Sequence, residues 1–95
     1  MGKRNDDGKF NANELLKKKP IKIWEYRIYP SGSLLENGVV LNDIATFVYK
    51  YCDGKNEVEG ILDKICEEYD VKKEKAKKDL LILISDLINE DAIKI

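Results

Sequence analysis

The sequence contains no histidine, the side chain that most often serves as an acid–base catalyst near neutral pH and as a metal ligand. Its two cysteines, Cys52 and Cys66, are far apart and cannot by themselves supply the four ligands of a structural zinc site. A glycine-rich phosphate-binding loop is also missing, because Gly54 and Gly60 stand alone. The carboxylates fall beside lysines on predicted helix surfaces, which is typical of solvated charge. The sequence therefore argues against an enzyme and predicts neither a cofactor nor a metal ion.

An excess of charge of one sign is missing as well, since 17 Lys and Arg residues balance 18 Asp and Glu residues. This balance predicts no strong nonspecific attraction to nucleic acid or to an anionic membrane. The longest apolar run, residues 80–84, is far shorter than the ~20 residues of a membrane span. The N-terminus lacks the apolar segment of a secretory signal, and two isolated cysteines suit a reducing compartment. We therefore expect a cytoplasmic protein.

The chain does contain the pattern of three short strands between residues 24 and 41. Trp24, Tyr26 and Ile28 alternate with more polar residues, which predicts a half-buried strand. Residues 33–36 and 39–41 read as the second and third strands. Asn37-Gly38 between them predicts a two-residue type I′ hairpin turn, because both central positions of that turn need positive φ.

Three helical patterns follow the strands. Asn42 is a favourable N-cap for the first helix, and Gly54 supplies a left-handed C-terminal stop. Asn56 with Glu59 resembles a capping box for the second helix. Asp70 can cap the third helix, predicted from about residue 72 to residue 89. The sequence thus predicts an α+β domain, with a three-stranded antiparallel sheet followed by three helices.

The third helix has more apolar side chains than one buried stripe needs. Leu81 and Ile88 lie to one side of its main apolar face, and Ile82 lies nearly opposite, at about 100° per residue. A wide apolar face is typical of a helix packed on two sides or of one wall of a binding groove. The main face is formed by Ala76, Leu80, Leu83, Ile84 and Leu87.

The two ends of the chain differ from this central pattern. Residues 1–19 are polar and lysine-rich apart from Phe10, Leu15 and Leu16, and we predict a flexible N-terminal arm with one weak helical turn. The folded domain is predicted over residues 20–95. Its apolar tail, residues 92–95, could pack on the first helix or add a minimal strand.

The segment 39–71, VVLNDIATFVYKYCDGKNEVEGILDKICEEYDV, resembles the core of pyrroloquinoline quinone biosynthesis protein D (PqqD) and of the related RiPP recognition elements. The matching features are Leu41-Asn42 before an alanine-containing helix, then Cys52-Asp53-Gly54, then the leucine pattern that follows Asp79. The similarity extends over about residues 20–95. The family often carries Gly-Leu-Ile after its last helix, where this chain has Glu90-Asp91-Ala92-Ile93.

The resemblance implies a winged helix-turn-helix-like domain and a non-catalytic role. Such domains bind the leader of a ribosomally made precursor peptide and present its core segment to a modifying enzyme, for example a radical SAM enzyme or another RiPP maturase. In the family the leader adds a strand to the third strand and packs against the third helix.

On this chain, the resemblance and the residue pattern together predict a peptide-binding site with two parts. The third strand would offer its backbone to the leader at Val39, Val40 and Leu41, and alternate leader side chains would enter the groove beside the third helix. The predicted wall of that groove is Lys77, Leu81, Ile84, Ser85 and Ile88. Lys73, Lys77 and Lys78 would pair with acidic leader residues.

Two other interpretations stay open from the residues alone. The lysines at the start of the third helix would suit phosphate contacts of a DNA-binding winged helix, although that helix has no arginine or glutamine for base readout. A bare strand edge with spare apolar surface would also suit a structural module that forms a homodimer. Salt-dependent filter binding and sedimentation distinguish these from peptide binding.

Overall fold

The order of elements places a small antiparallel sheet ahead of the longer helices. The computed structural model describes residues 11–95, and the first part of the predicted arm, residues 1–10, lies outside the described residues. The elements are α1 (Ala12–Leu16), β1 (Ile21–Lys22), β2 (Tyr26–Tyr29), β3 (Gly32–Leu35), β4 (Val40–Leu41), α2 (Asp43–Lys50), α3 (Val58–Glu68), α4 (Lys73–Asn89) and β5 (Ile93–Lys94). The three predicted strands correspond to β2, β3 and β4, and the three predicted helices correspond to α2, α3 and α4.

The three-stranded antiparallel sheet is confirmed, with the order β2-β3-β4. In the hairpin of β3 and β4, Leu34 lies opposite Val40. The predicted type I′ turn is wrong, because Gly38 has a φ of +96° but Asn37 does not have a positive φ. The N–H of Leu35 donates to the carbonyl of Val39 at 2.9 Å, which leaves a three-residue loop over 36–38. Such a loop needs one left-handed residue at its end, and Gly38 supplies it.

The first helix after the sheet begins as its sequence predicts. The Asn42 side chain accepts the N–H of Ala45 at 2.8 Å and so caps α2. The capping box predicted at Asn56 is wrong, because α3 has Glu57 as its N-cap and no side-chain cap bond. The Asn56 amide instead donates to the Asp53 carboxylate at 3.2 Å, in the turn before α3.

The longest helix, α4, keeps its predicted extent but not its predicted cap. Its N-cap is Lys72, without a side-chain cap bond, so the assignment of Asp70 as the cap is wrong. At the other end Asp91 has a φ of +57°, and the N–H of Ala92 donates to the Leu87 carbonyl at 2.8 Å. This is the Schellman arrangement, in which a left-handed residue after the helix is usually glycine.

The hydrophobic core lies between the inner face of the sheet and the helices, and it extends beyond the predicted domain boundary. Leu15 and Leu16 of α1 are each only 6% exposed and belong to this core. Packing therefore begins before residue 20, although α1 spans only 5 residues. The flexibility predicted for residues 1–19 stays a prediction.

The C-terminal tail forms a strand that pairs with β1, and not with β4. β5 runs antiparallel to β1, with Ile21 opposite Lys94 and Lys22 opposite Ile93. Tyr49 of α2 stabilises this end of the molecule, since its hydroxyl donates to the Ala92 carbonyl at 3.0 Å and accepts the Trp24 N–H at 3.2 Å. The tail is therefore held away from the free side of β4.

The Cys-Asp-Gly sequence forms the corner that follows α2. Cys52 is fully buried, and its carbonyl accepts the N–H of Lys22 at 2.7 Å. The Asp53 carboxylate accepts the N–H of Lys55 at 2.9 Å, and this bond lowers the pKa of Asp53. Gly54 has a φ of +80°, a conformation that suits glycine. These residues fix the route of the chain from α2 to α3, so their role in the motif is structural.

Candidate functional site

The outer side of β4 is an unpaired strand edge within the described residues 11–95. β4 is the last strand in the sheet order, and β3 is its neighbour on the other side. Hydrogen-bonded and non-bonded pairs alternate along antiparallel strands. Because Leu35 and Val39 form a bonded pair, the next pair, Leu34 and Val40, is non-bonded. The N–H and C=O of Val40 therefore point away from β3, and the Val40 side chain is 76% exposed.

Contacts beyond both ends of β4 show how α4 is aligned relative to this edge. At the loop end, the Asn37 amide donates to the backbone carbonyl of Glu90 at 3.2 Å. At the other end, Ile44 in the first turn of α2 shares a pocket with Asp79 and Leu83 of α4. These two contacts place α4 antiparallel to β4, and we call the space between them the groove.

One apolar pocket lies at the end of this groove, between the first turn of α2 and helices α3 and α4. Its volume is about 80 Å³, far below the roughly 300–1,000 Å³ of typical small-molecule sites. The size suits a single apolar side chain. Ile44 and Val71 at the rim are 45% and 43% exposed, so apolar surface is available to a ligand. The lining residues are Ile44, Ile65, Tyr69, Val71, Ala76, Asp79, Leu80 and Leu83.

The side of α4 that faces the hairpin follows from helical spacing. Asp79, Leu83, Asp86 and Glu90 stand at i, i+4, i+7 and i+11, so they share one line along the helix. Asp79 and Leu83 contact the pocket at one end of this line, and Glu90 contacts Asn37 at the other. We call this line the acidic wall, because it carries three carboxylates and one leucine.

The predicted wall residues lie on a different side of α4. Lys77, Leu81, Ser85 and Ile88 are centred roughly opposite to the acidic wall at about 100° per residue. Leu81 and Ile88 are half-buried against the core, and Ile84 is fully buried. The structure thus does not bring these residues together with β4. Their role in peptide binding stays a prediction, and the geometry favours the opposite side of the helix.

The predicted strand residues and lysines are also placed by the structure. Val39 packs half-buried against the core, and Leu41 is only 5% exposed. By the same alternation their N–H and C=O groups point toward β3, so of the three predicted strand residues Val40 is the one whose backbone faces outward. The Lys73 ammonium lies 3.6 Å from the Asp63 carboxylate of α3. Lys78 is exposed, on the side of α4 away from Asp79.

Sequence reasoning missed the residues that do lie beside β4. Ile44 follows the predicted cap Asn42, and Asp79 precedes the leucine pattern of the third helix, but neither position by itself predicts a place beside β4. Two sequence features together could have identified them. One is the helical spacing of Asp79, Leu83, Asp86 and Glu90, and the other is the register of the β3–β4 hairpin. Neither signal alone gives the alignment, because the contact of Asn37 with Glu90 joins residues far apart in sequence.

The remaining chemistry of the described residues is sparse. Burial raises the pKa of the Cys52 thiol to about 12, so this cysteine is a poor nucleophile. Within residues 11–95, no group of three or more acidic, cysteine or histidine side chains could hold a metal ion. The same residues form no helix long and apolar enough to cross a membrane.

The sequence features that carry the resemblance are Leu41-Asn42, Cys52-Asp53-Gly54 and the leucine pattern after Asp79, and they lie at the two ends of α2 and along α4. The family model of coenzyme PQQ synthesis protein D (PqqD) matches residues 29–93 of the chain. The chain belongs to the PqqD family. No curated protein and no solved structure showed significant similarity to it.

Membership of the PqqD family gives the general role of the domain. The match runs from the end of β2 to the start of β5, and it includes the edge strand, α4 and the corner at Cys52. The PqqD family implies a peptide-binding accessory protein of PQQ or RiPP biosynthesis, which is non-catalytic and acts with peptide-modifying enzymes.

Proposed function

We propose that this protein binds the leader segment of a ribosomally made precursor peptide and delivers the peptide to a modifying enzyme, such as a radical SAM enzyme or another RiPP maturase. The leader adds a strand to the free edge of β4, at Val39, Val40 and Leu41. The observation that carries this proposal is the outward orientation of the Val40 N–H and C=O, inferred from the pairing of β3 with β4. We also infer that the fold is winged helix-turn-helix-like.

Backbone pairing supplies only part of the affinity. β4 spans 2 residues, so a leader strand gains few hydrogen bonds from it, each worth about 0.5–1.5 kcal/mol net. Apolar contact must add to this. The pocket at Ile44 and Leu83 lies beside the end of β4 and takes one leader side chain. A strand on the edge would lie about 4.8 Å from β4, between the hairpin and α4.

This mode of binding also accounts for the short edge. A long bare edge would favour aggregation, whereas a very short one limits pairing to partners that gain further contacts. The leader has those contacts in the groove. Cytoplasmic action beside the enzyme is part of the proposal, and the two unpaired cysteines agree with it.

The test is an NMR titration of the full chain with the leader of a precursor encoded near its gene. We expect amide shifts concentrated in residues 39–41, at Ile44 and along the acidic wall. Shifts confined to other parts of the chain, or no binding at high micromolar peptide, would overturn the proposal.

A sedimentation run at several protein concentrations separates leader binding from self-pairing of two β4 edges. Broadening at β4 without peptide, growing with protein concentration, indicates the homodimer.

A pair of variants isolates the backbone contribution. Val40→Pro removes an N–H that points away from β3, so it costs the sheet no internal hydrogen bond. Val40→Ala is the matched control, because it shortens the same side chain and keeps the N–H. We expect proline to weaken leader binding clearly more than alanine, with similar unfolding midpoints. Equal losses of affinity would show that the leader does not pair with this edge.

A further inference from the structure

We propose that the groove selects a peptide of one pattern, an apolar residue followed at the second and fourth positions by lysine or arginine. This rests on the proposed function and adds to it the class of side chain that the leader carries. The apolar residue enters the pocket at Ile44 and Leu83. The basic residues face Asp86 and Glu90 of the acidic wall, so the preferred ligand is a cationic strand.

Within the part of the chain that the structure describes, the groove carries negative charge that no neighbouring cation balances. The ion pairs within the described residues are Lys17–Glu59, Lys73–Asp63 and Lys75–Asp79. The Lys75 ammonium lies 3.3 Å from the Asp79 carboxylate, so Asp79 is partly neutralised by a residue of its own helix. Asp86 and Glu90 have no such partner in residues 11–95. The uncompensated negative charge therefore lies in the half of the groove nearer the β3–β4 loop.

Glu90 stands at the loop end of the groove, because the Asn37 amide donates to its backbone carbonyl at 3.2 Å. The lysines at the start of α4 are at the far end of the helix, because α4 spans 17 residues and rises about 1.5 Å per residue. One end of the groove is thus apolar with mixed charge, and the other is acidic.

The spacing of the wall fits an extended peptide. Side chains on one face of a strand recur about every 6.8 Å. From Leu83, Asp86 lies about 4.5 Å and Glu90 about 10.5 Å further along α4, at about 1.5 Å per residue. A peptide side chain in the pocket therefore places its second and fourth followers near these two carboxylates.

The direction of the peptide follows from the sheet. β2, β3 and β4 pair only antiparallel, and an added strand that continues this pattern runs antiparallel to β4. β4 runs from the loop at Asn37 toward Ile44, so the peptide runs from the pocket toward the loop. The apolar residue thus comes before the basic residues in the ligand sequence.

The test uses three fluorescein-labelled synthetic peptides and the full chain, with fluorescence anisotropy at low and at moderate salt. The first contains Leu-Thr-Lys-Thr-Lys, the second has glutamate at both lysine positions, and the third has the reversed order Lys-Thr-Lys-Thr-Leu. We expect the first to bind at least about tenfold more tightly than the second at low salt, and this ratio to fall as salt screens the charges. The reversed peptide should bind more weakly than the first.

Single-residue variants of the protein test whether Asp86 and Glu90 cause the preference for basic peptides. Asp86→Asn and Glu90→Gln should each weaken the lysine peptide about two- to fivefold and leave the glutamate peptide unchanged or slightly tighter. Glu67→Gln is the matched control, since it removes an exposed carboxylate of α3 that lies off the groove. Each variant changes one surface charge without a packing change, so circular dichroism should show unaltered folding.

The outcomes separate this inference from the proposed function. Equal binding of the lysine and glutamate peptides, with amide shifts at residues 39–41, would overturn the charge preference and leave strand addition standing. Lack of any β4 shift with the lysine peptide at millimolar concentration would also overturn it. If the natural leader itself causes no shift at β4, the proposed function fails as well. A natural leader that binds β4 through an acidic segment would contradict this inference alone.

Discussion

The side-chain amide of Asn37 donates to the backbone carbonyl of Glu90 at 3.2 Å, so the loop of the β3–β4 hairpin is attached to the end of α4. The Asn37 carboxamide oxygen also accepts the N–H of Val39 at 3.2 Å. One side chain therefore shapes the loop and sets the distance between the two walls of the groove.

We expect Asn37→Asp to open the groove at its loop end. Aspartate keeps the acceptor for Val39 but places a carboxylate against the Glu90 carbonyl, where a donor stood. The free energy of unfolding should fall by about 1 kcal/mol, and leader binding should weaken. Urea unfolding measures the first effect, and anisotropy measures the second. Asn37→Ser, which keeps a short donor and acceptor, is the control, and equal effects of both changes would contradict the role of the bond.

Gly32 is expected to tolerate no side chain, because β4 passes directly over it. A Cβ at this position would clash with the Leu41 carbonyl oxygen, and the φ of Gly32 is +152°. Gly32→Ala should therefore lower the free energy of unfolding by about 2–4 kcal/mol and displace β4. Urea unfolding gives the loss, and amide shifts at Val40 report the displacement.

Gly60 provides the matched comparison. It lies within α3, and an added Cβ would meet nothing within 4 Å. Gly60→Ala should raise the free energy of unfolding by about 0.5–1 kcal/mol, through helix propensity alone. If both alanine variants changed stability in the same direction, the close approach of Gly32 to Leu41 would not be the cause.

Asp91 occupies the left-handed position that ends α4, where the family often has glycine. Its φ is +57°, and its carbonyl accepts the Trp24 indole N–H at 2.8 Å. Asp91→Gly should stabilise the protein by up to about 1 kcal/mol, because glycine adopts this conformation without strain. Asp91→Ala removes the same carboxylate but keeps a Cβ, so it should be less stable than Asp91→Gly. Thermal unfolding of the two variants gives the comparison, and equal midpoints would contradict the strain.

The burial of Cys52 predicts how the free energy of unfolding changes with pH above about 9. Burial raises its folded-state pKa from 9.0 to about 12, so above pH 9 the unfolded state loses this proton first. The unfolded state then binds fewer protons than the folded state, and stability falls as pH rises from about 9 toward 12. Burial also raises the pKa of Tyr49, which acts in the same direction at higher pH.

The measurement is urea unfolding at several pH values from 7 to 10.5, for the natural protein and for Cys52→Ala. The variant should be less stable at pH 7, because it leaves a cavity, but its loss of stability above pH 9 should be shallower. The difference in slope should approach about 1.4 kcal/mol per pH unit. Parallel curves would show that Cys52 does not titrate in this way.

Some elements of the fold could be predicted from local sequence alone. Asn42 identified the start of α2, since a side-chain oxygen is needed to accept the orphan N–H groups of a helix start. The extent of α4 was predicted to within one residue at its start, because a long apolar periodicity is a strong signal. α1, β1 and β5 are too short to give such a signal, and they are stabilised by contacts with distant residues.

The candidate site could be predicted only in part. The edge of β4 follows from the hairpin and the change to helical pattern at Asn42, which are local features. The choice between the two sides of α4 does not follow, because leucine and isoleucine occur on almost all of its sides between residues 80 and 88. Sequence reasoning chose the side of Lys77 and Ile88, whereas the contacts with Ile44 and Asn37 are made by the side of Asp79 and Glu90.

The sequence by itself determined the strand and helix order, the family and the free hairpin edge, because each depends on residues close together in the chain. Only the tertiary structure decided which side of α4 lies beside that edge and where the tail pairs. Those arrangements depend on contacts such as Asn37 with Glu90 and Tyr49 with Ala92, whose partners lie more than 40 residues apart. Packing of the whole core brings such residues together, and no local pattern encodes it.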